Sequence, residues 1–487
     1  MRILIALLLI IPGSAVHAQD YQLKDFKYRT TGYRLMRLDG KLNSDAGFRK
    51  KDSLNDAFSG GFETNDRLYF EKGYNLDKRQ HASVFDGRLD ARFSKGNGVN
   101  NNANLGFNYE QEDWFYKENY FFKTYFGGGI NGGFTKQGKD PSLQKDNSKG
   151  GQLTASGAIG RGRLEYLSDA QTAMFIIEAL YDAGKLKTRP AKDVVERLAN
   201  LIVSVKNSRV LDSRRRMIYQ LTQIGNFFSN EKLVTQCDPE TVAIINDNLY
   251  YGFHNELTPN TDNTWRYYRV DPRNGDNSLN ADFLPADYWD DPDRFNTLSY
   301  NVFFNDFMND QFFRMSGTVY YVGVEATGGY SSAATRLGSG PKMEISQNNL
   351  SPAVFAVYEK HIPVNLHWQR VIQAFARYTN TRSTSKSNGN TVSETRYYTA
   401  NLSGGYKVGY YPNNRTVIEG MAGGFLSYSN QAPDNKLSIN LDGSISGGYF
   451  LSYSTVLRGS FRTAIPVKTA VRQWGYGLSF SILHYFF

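Results

Sequence analysis

The feature that most constrains this chain is a run of strict two-residue alternation. Between residues 398 and 410, the even positions carry Tyr, Ala, Leu, Gly and Val, and the odd positions carry Thr, Asn, Ser, Gly and Lys. A period of two places successive side chains on opposite faces of a β-strand. The pattern recurs at 437–449 and 85–93. Because soluble strands usually run about five or six residues, these segments predict unusually long strands with one apolar and one polar face.

The first eighteen residues predict a secretory signal peptide. Arg2 precedes an apolar run from Ile3 to Pro12, and Val16-His17-Ala18 provides small residues for cleavage before Gln19. The apolar run is too short to cross a bilayer as a helix. We therefore expect export of a chain that begins at Gln19, and its single cysteine, Cys237, excludes an internal disulfide.

Long alternating strands in an exported chain favour a membrane-spanning β structure. In hydrocarbon every backbone polar group must be paired, so such strands must close into a barrel. Averaging of the two faces explains the low mean hydropathy of −0.51. We predict an all-β transmembrane fold, an antiparallel up-and-down outer-membrane β-barrel of about sixteen strands, within a range of fourteen to eighteen. The expected strands are 28–42, 57–70, 81–95, 102–112, 117–131, 150–163, 248–257, 298–309, 313–327, 350–360, 366–380, 396–410, 416–428, 437–449, 455–463 and 473–486.

The connections between these strands alternate between tight and roomy. Tight turns are expected at 361–365, 412–414 and 450–453, and a long polar loop is expected at 380–394. Outer-membrane barrels have short periplasmic turns and longer external loops. An even number of strands then places both termini in the periplasm.

The end of the chain carries a further signal. The apolar face of the last strand includes Leu478, Phe480 and Ile482, and the chain closes with Tyr485 and Phe487. This aromatic end resembles the C-terminal sorting signal of bacterial outer-membrane β-barrels, although the apolar face continues to Phe486. The resemblance, to porin-like barrels carrying a periplasmic helical insert, implies the outer membrane of a Gram-negative cell and names no specific family or substrate.

Residues 164–247 break the strand pattern. Apolar residues at helical spacing predict helices within 167–186, 191–207 and 213–230, and a fourth starting at Asp238-Pro239-Glu240. The predicted domains are therefore a signal peptide at 1–18, about six barrel strands in 19–163, a periplasmic helical insert at 164–247, and about ten strands in 248–487. We expect 168–230 to form a compact unit on the barrel rim, because the chain leaves through 163–165 and returns through 246–248 without a flexible linker.

Candidate functional residues fall into three groups. Charged residues on the polar faces of strands are candidates to line a pore. A long connection at about 258–297 combines carboxylates, arginines and aromatic rings, which suits binding of a cation or a sugar. A basic cluster in the insert is a candidate docking surface, with a solvated helix face as the alternative. The pore-lining candidates are Asp86, Arg88, Asp90, Arg92 and Lys407; the loop candidates are Arg266, Arg269, Asp287, Trp289, Asp290, Asp291 and Asp293; the docking candidates are Arg209, Arg214, Arg215 and Arg216.

The sequence argues against an enzyme. His81 and Ser83 share a strand face in a His-x-Ser arrangement that faintly resembles outer-membrane phospholipases, but Val84-Phe85-Asp86 replaces the motif expected to follow. Cys and His residues show no metal-ligand spacing, and no phosphate loop or nucleic-acid motif is present. We therefore expect no catalytic residues, metal or cofactor.

Three hypotheses of function follow. The first is a porin-like channel for small hydrophilic solutes or for export of a polymer. The second is an outer-membrane anchor or assembly protein whose insert binds a periplasmic protein. The third, a hydrolase, ranks far behind. Expected partners are outer-membrane lipids including lipopolysaccharide, the barrel-assembly machinery and, in the second hypothesis, a periplasmic protein; nucleic acid is not among them.

Overall fold

The computed structural model describes residues 21–27, 30–49, 57–95, 99–138, 144–206, 213–234, 237–250, 314–338, 340–431, 436–452, 455–468 and 475–484. Fourteen strands within these residues form one antiparallel sheet in which each strand pairs with the next along the chain. The strands are β1 Thr30–Arg49, β2 Ala57–Asn75, β3 Arg79–Lys95, β4 Val99–Lys117, β5 Tyr120–Gly138, β6 Gln144–Tyr166, β7 Met315–Leu337, β8 Met343–Pro363, β9 Trp368–Ser387, β10 Asn390–Asn413, β11 Thr416–Ser429, β12 Leu437–Ser452, β13 Thr455–Lys468 and β14 Gly475–His484.

The two faces of the sheet differ in the way the alternation predicts. One face, the outer face, exposes large apolar side chains, whereas the other, the inner face, buries a mixture of aromatic and charged side chains. On β14, Leu478 is 83% exposed. Water penalises so much exposed apolar surface, so a sheet with this outer face is suited to a lipid environment. Exposed side chains of the outer face include Phe62, Leu89, Leu105, Phe122, Ile130, Ile159, Val322, Val324, Val354, Leu402, Ile418, Ile445, Leu478, Phe480 and Ile482.

Aromatic side chains bracket this apolar surface. Tyr398 stands between Tyr378 and Tyr428, with ring centroids 6.1 and 5.9 Å away. Toward the other end of the same strands, Trp368 and Tyr410 lie 4.5 Å apart. Ten residues from Trp368 to Tyr378, at about 3.3 Å each and tilted by about 40°, span about 25 Å along the normal. That is the height of the apolar band between aromatic girdles in outer-membrane barrels.

Four helices are described between β6 and β7. They are α1 Ser168–Asp182, α2 Lys192–Lys206, α3 Ser213–Asn230 and α4 Pro239–Tyr250. Their apolar stripes share one buried core, which includes Ile176, Leu198 and Ile224. The segment before β1 joins this core through Tyr21, whose hydroxyl donates to the Pro190 carbonyl at 3.3 Å. We call this assembly the helical unit.

The helical unit contacts the short turns at one end of the sheet. Leu366, in the β8–β9 turn, is part of the helical core, and the rings of Phe175 and His367 lie 5.8 Å apart. At the β10–β11 turn, Arg415 forms a 2.6 Å ion pair with Asp247 of α4. The helical unit therefore rests on the turn end of the sheet, which we call the turn rim.

The residue after β6 and the residue before β7 meet beside the pairing of Tyr166 with Met315. The Leu167 amide donates to the Arg314 carbonyl at 2.9 Å. The Arg314 side chain is fully buried, and it donates to the carbonyls of Leu366, Asn365 and Trp368. Burial lowers the pKa of Arg314 to about 10, so the side chain remains charged at neutral pH and holds the start of β7 against the β8–β9 turn.

The region after the insert differs from the prediction. The predicted strand 248–257 is wrong for residues 248–250, and the predicted return of the chain at 246–248 is wrong throughout, because residues 246–250 lie in α4. The rest of that strand, and the predicted strand 298–309, lie outside the described residues. Within the described residues, β6 pairs directly with β7. Fourteen strands are described where about sixteen were expected.

The long polar loop expected at 380–394 is also wrong. Residues 380–387 continue β9 and residues 390–394 begin β10, and the two strands pair up to Ser387 and Asn390. Asn388 and Gly389 both have positive φ, 49° and 85°. These values belong to the tight hairpin turn for which Asn-Gly is the preferred sequence. The polar composition therefore marks a hydrated extension of two strands.

Two other expectations lie outside the described residues. The signal peptide at 1–18 and the aromatic end at 485–487 are not part of the structural description. No helix among the described residues is long and apolar enough to span a bilayer.

Candidate functional site: the inner face of the sheet

The pore-lining candidates on β3 lie on the polar side of that strand. Asp86 is buried and forms a 3.3 Å ion pair with Arg88. Asp90 and Arg92, farther from the turn rim, are exposed. The fifth candidate, Lys407 on β10, is buried and pairs with Glu419 of β11 at 2.8 Å. The structure thus places two of the five candidates in contact on β3 and Lys407 on a different part of the sheet.

Between these points the inner face is filled by a contiguous group of apolar and aromatic side chains. It draws residues from β4, β5, β6, β7, β8, β9 and β11. Because β4 and β7 are separated by two strands, their contact requires a sheet that curves around this face. We call this group the inner cluster: Trp114, Phe121, Ala158, Val319, Tyr321, Phe355, Val371, Phe375 and Met421.

Small residues on β6 make room for the large rings. Ala158 is buried in the cluster, and a Cβ atom at Gly160 would collide with the Phe121 ring and with the Tyr320 carbonyl. The Trp114 and Tyr321 rings meet edge to face over these small residues, with centroids 5.5 Å apart. Edge-to-face packing is a favoured geometry for aromatic pairs.

A buried cation is held inside the aromatic group. Lys123 Nζ lies 3.1 Å from a carboxylate oxygen of Glu112, and both side chains are almost fully buried. The same ammonium lies 4.5 Å from the Trp114 ring centroid and 5.0 Å from that of Tyr321. The Trp114 indole also donates to Glu112. A buried charge is costly unless paired and hydrogen-bonded, and here the ion pair and both ring faces supply that compensation.

Two further ion pairs border the inner cluster. Arg377 of β9 contacts Glu325 of β7 at 2.5 Å, and the Glu325 side chain has no exposed surface. Glu419 accepts from both Lys407 and the Tyr411 hydroxyl, each at 2.8 Å. Each pair joins an acid and a base on different strands. The inner face therefore presents paired charges of both signs, which suits contact with hydrophilic material or ions.

Sequence reasoning found only part of this arrangement. Lys407 was recognised because its strand alternates strictly, but Glu112, Lys123, Glu325 and Arg377 were not singled out. The sequence signal that could have identified these four residues is a charged side chain at a polar-face position of a strand that is otherwise apolar. What no sequence pattern provides is the partner of each charge, because that depends on strand register and on sheet curvature.

For the remaining predicted sites, the structure describes no side-chain contacts. The loop candidates between Arg266 and Asp293, and Arg209 of the docking cluster, lie outside the described residues. Arg214, Arg215 and Arg216 fall in the first turn of α3. Among the described residues, no group of three or more His, Cys, Asp or Glu side chains could hold a metal ion.

Comparisons with known proteins give structural likeness alone. No family model matches the chain, and no curated protein matches it. The translocator domain of the autotransporter NalP from Neisseria meningitidis is 9% identical, with 85% of this chain and 90% of that chain covered and a TM-score of 0.29. The Pseudomonas putida toluene transporter TodX is 7% identical, with 93% and 88% covered and a TM-score of 0.27. A bacterial polysaccharide outer membrane secretin is 6% identical, with 93% and 98% covered and a TM-score of 0.22.

With identities of 9% or less and TM-scores below 0.3, these likenesses do not extend to a function or a substrate.

Proposed function

We propose that the protein is an outer-membrane channel whose sheet closes into a barrel and whose inner face lines a path for small hydrophilic solutes or for a polymer in export. The observation that carries the proposal is the division of the sheet into an exposed apolar face and an inner face with buried ion pairs. An apolar exterior around a charged interior is the arrangement that a membrane pore requires.

The inner cluster is the proposed narrow zone of this path. Its rings approach from β4, β5 and β7 over the small residues of β6. Lys123 and Glu112 are the charges embedded within it. A solute passing this zone meets aromatic surfaces and paired charges rather than a wide aqueous lumen.

Single-channel conductance in planar bilayers tests the proposal. We expect discrete channel events from the folded protein, a larger conductance for Trp114→Ala, and altered cation-to-anion selectivity for Lys123→Met. The matched control is Val322→Ala, which removes an apolar side chain from the outer face of the same region and should leave conductance unchanged. Absence of channel events in both the wild type and Trp114→Ala would refute a pore.

A second candidate function is an anchor for a periplasmic partner. It is favoured by the contacts that hold the helical unit on the turn rim. These are the packing of Leu366 in the helical core and the ion pair of Arg415 with Asp247. Deletion of residues 168–245 should then abolish co-purification of a specific protein while conductance persists. Retention of the same binding partner by the deletion variant would exclude this role.

Location follows from the same proposal. The protein would reside in the outer membrane, with lipopolysaccharide and other lipids around the outer face and with the barrel-assembly machinery as its insertion partner. Both termini and the helical unit would be periplasmic, because Tyr21 and the helices share one core at the turn rim.

A further inference from the structure

Three polar side chains form a relay on the outer face of β3 and β4. The Ser83 hydroxyl oxygen lies 3.2 Å from His81 Nε2, and His81 Nδ1 lies 2.9 Å from Asp113 Oδ1. His81 and Ser83 are two residues apart on β3, and the strand register places Asp113 directly opposite His81. A serine, a histidine and a carboxylate joined in this order are the nucleophile, the base and the orienting acid of serine hydrolases, which are recognised by geometry rather than by sequence position.

The surrounding residues fix the imidazole for this role. Arg79 donates to Asp113 Oδ1 at 2.8 Å, and Gln111 donates to Asp113 Oδ2 at 2.7 Å. The Tyr74 ring stacks on the imidazole, with centroids 5.0 Å apart and planes 18° from parallel. Because an ionised carboxylate only accepts hydrogen bonds, His81 must carry its proton on Nδ1. In the neutral imidazole with this tautomer, Nε2 is an acceptor that faces the Ser83 hydroxyl.

The relay faces away from the proposed channel. It occupies odd positions of β3 and β4, as do the exposed side chains Leu89, Phe93 and Phe107. The even positions carry inner-face residues such as Asp86 and Trp114. A substrate must therefore reach Ser83 from the lipid side of the sheet.

The relay also lies at a defined depth. The turn at residues 76–78 follows β2 at the turn rim, and His81 is the third residue of β3. At the rim of the apolar band, a bilayer presents the glycerol esters of its lipids between chains and headgroups. Two cations accompany the relay: Lys72 stands opposite Ser83 in the strand register, and Arg79 lies over the Tyr74 and Phe115 rings. Cations at this position suit a lipid phosphate.

We propose that Ser83, His81 and Asp113 form a catalytic centre that hydrolyses acyl esters of glycerophospholipids drawn from the leaflet at the turn rim. The Ser83 oxygen attacks the acyl carbonyl carbon while its proton passes to His81 Nε2, and the Lys72 ammonium stabilises the oxyanion. The ester C–O bond breaks, and the lysophospholipid oxygen takes the proton from Nε2. Water then attacks the acyl-serine and gives a proton to Nε2; the bond from carbon to the Ser83 oxygen breaks, a fatty acid leaves, and Ser83 regains the proton.

The test uses the full-length protein in vesicles of phosphatidylethanolamine and phosphatidylglycerol, with fatty acid and lysophospholipid measured by mass spectrometry. We expect release of both products in equal amounts. Ser83→Ala, His81→Gln and Asp113→Asn should each lower the rate by roughly 10²- to 10⁴-fold. The matched control is Ser427→Ala, which removes a hydroxyl that donates to Asn401 on distant strands and should keep full activity.

A second readout guards against misfolded variants. A fluorophosphonate probe should label the wild type at Ser83, as located by peptide mass spectrometry, and it should fail to label His81→Gln. The heat-dependent gel mobility of every variant shows whether it is folded. Ser83→Ala should retain the wild-type conductance, so a failure of the hydrolase proposal can be distinguished from a failure of the channel proposal. Wild-type protein that neither releases fatty acid nor is labelled at Ser83 would overturn the proposal, as would unchanged hydrolysis in Ser83→Ala.

Discussion

At the scale of single residues, the inner face depends on charges that are buried only as pairs. Lys407 and Glu419 show the principle, since both side chains have less than a tenth of their surface exposed and lie 2.8 Å apart. Removing one partner of such a pair leaves the other charge desolvated and unpaired, whereas replacing both is often tolerated. Stability therefore depends on the match between the two residues more than on either one.

The first prediction concerns this pair. Lys407→Met should destabilise the sheet by about 3–5 kcal/mol, because it leaves the Glu419 carboxylate buried without its cation. The double variant Lys407→Met/Glu419→Gln should recover most of that loss. The measurement is the temperature at which the folded form disappears in gel-shift assays. Equal loss in the single and double variants would contradict the pairing.

The second prediction concerns pH and the helical unit. Asp238 caps α4, with its carboxylate accepting from the Thr241 amide at 2.8 Å, and Lys185 contacts it at the same distance. The hydrogen bond from Lys185, followed by those from Thr241, holds the pKa of Asp238 well below its ordinary value of 3.8. A depressed folded-state pKa gives stabilisation that is present above the unfolded pKa and is lost as pH falls toward the folded one.

Hydrogen exchange of the α4 amides provides the measurement. Protection should hold from neutral pH down to about 4 and fall below it, since the unfolded carboxyl titrates near 3.8. Asp238→Ala should lower protection at neutral pH and weaken the acid dependence. The control is Asp193→Ala, which removes an exposed carboxylate from α2. An acid dependence that is identical in Asp238→Ala and the wild type would show that another group is responsible.

At the scale of elements, the length and phase of the strands were largely predictable, but their ends and partners were not. Alternation marked the parts of β10 and β12 in which one face carries exposed apolar side chains such as Leu402 and Ile445. Residues 380–394 were misassigned because strands that extend into water need no apolar face, so the signal disappears while the hydrogen bonds continue. Asn388-Gly389 was a hairpin signal that composition obscured.

The relay of Ser83, His81 and Asp113 shows the same limit of sequence analysis, because its members lie on two strands. His81 and Ser83 were visible as neighbours on one strand face, but Asp113 lies thirty-two residues from His81 in the chain. Only the register of β3 with β4 brings it into contact. A local motif search looks for the third member just after Ser83, where the chain offers Val84-Phe85-Asp86, and so the sequence argued against an enzyme.

The third prediction concerns the small residues of β6 that face the inner cluster. Gly160→Ala should destabilise the sheet by about 1–3 kcal/mol, because the added methyl group meets the Phe121 ring and backbone of β7. Gly328→Ala is the matched control, since a Cβ atom there has no heavy atom within 4 Å. Thermal unfolding of the two variants provides the comparison. Similar stability for both would mean that the inner cluster does not close over Gly160.

At the scale of the whole molecule, the sheet has two distinct ends. The helical unit, the Tyr21 segment and the short turns lie at the turn rim, while the Asn388-Gly389 hairpin lies at the opposite end. With 24 residues in β10 at about 3.3 Å each, that strand extends roughly 80 Å, well beyond what a bilayer requires. The proposed orientation therefore projects this hairpin away from the cell.

The fourth prediction follows from that orientation. In a Cys237→Ala background, Asn388→Cys should react with a membrane-impermeant maleimide on intact cells. Asn413→Cys, in the turn at the other end, should react only after the outer membrane is opened. The reverse pattern would invert the topology and place the helical unit outside.

The core of the helical unit brings together parts of the chain that are made at very different times. Tyr21 bonds to Pro190 across 169 positions, and Leu366 completes the same core from the β8–β9 turn. Its apolar surfaces therefore stay incomplete until more than half of the described strands have been synthesised. In the proposed location, the segment at Tyr21 would reach the periplasm before Leu366, so a partly exported chain would expose an incomplete apolar core that a chaperone could bind. Completion of this core would then depend on assembly of the sheet in the correct order. The helical unit would therefore act as a checkpoint in the folding of the protein.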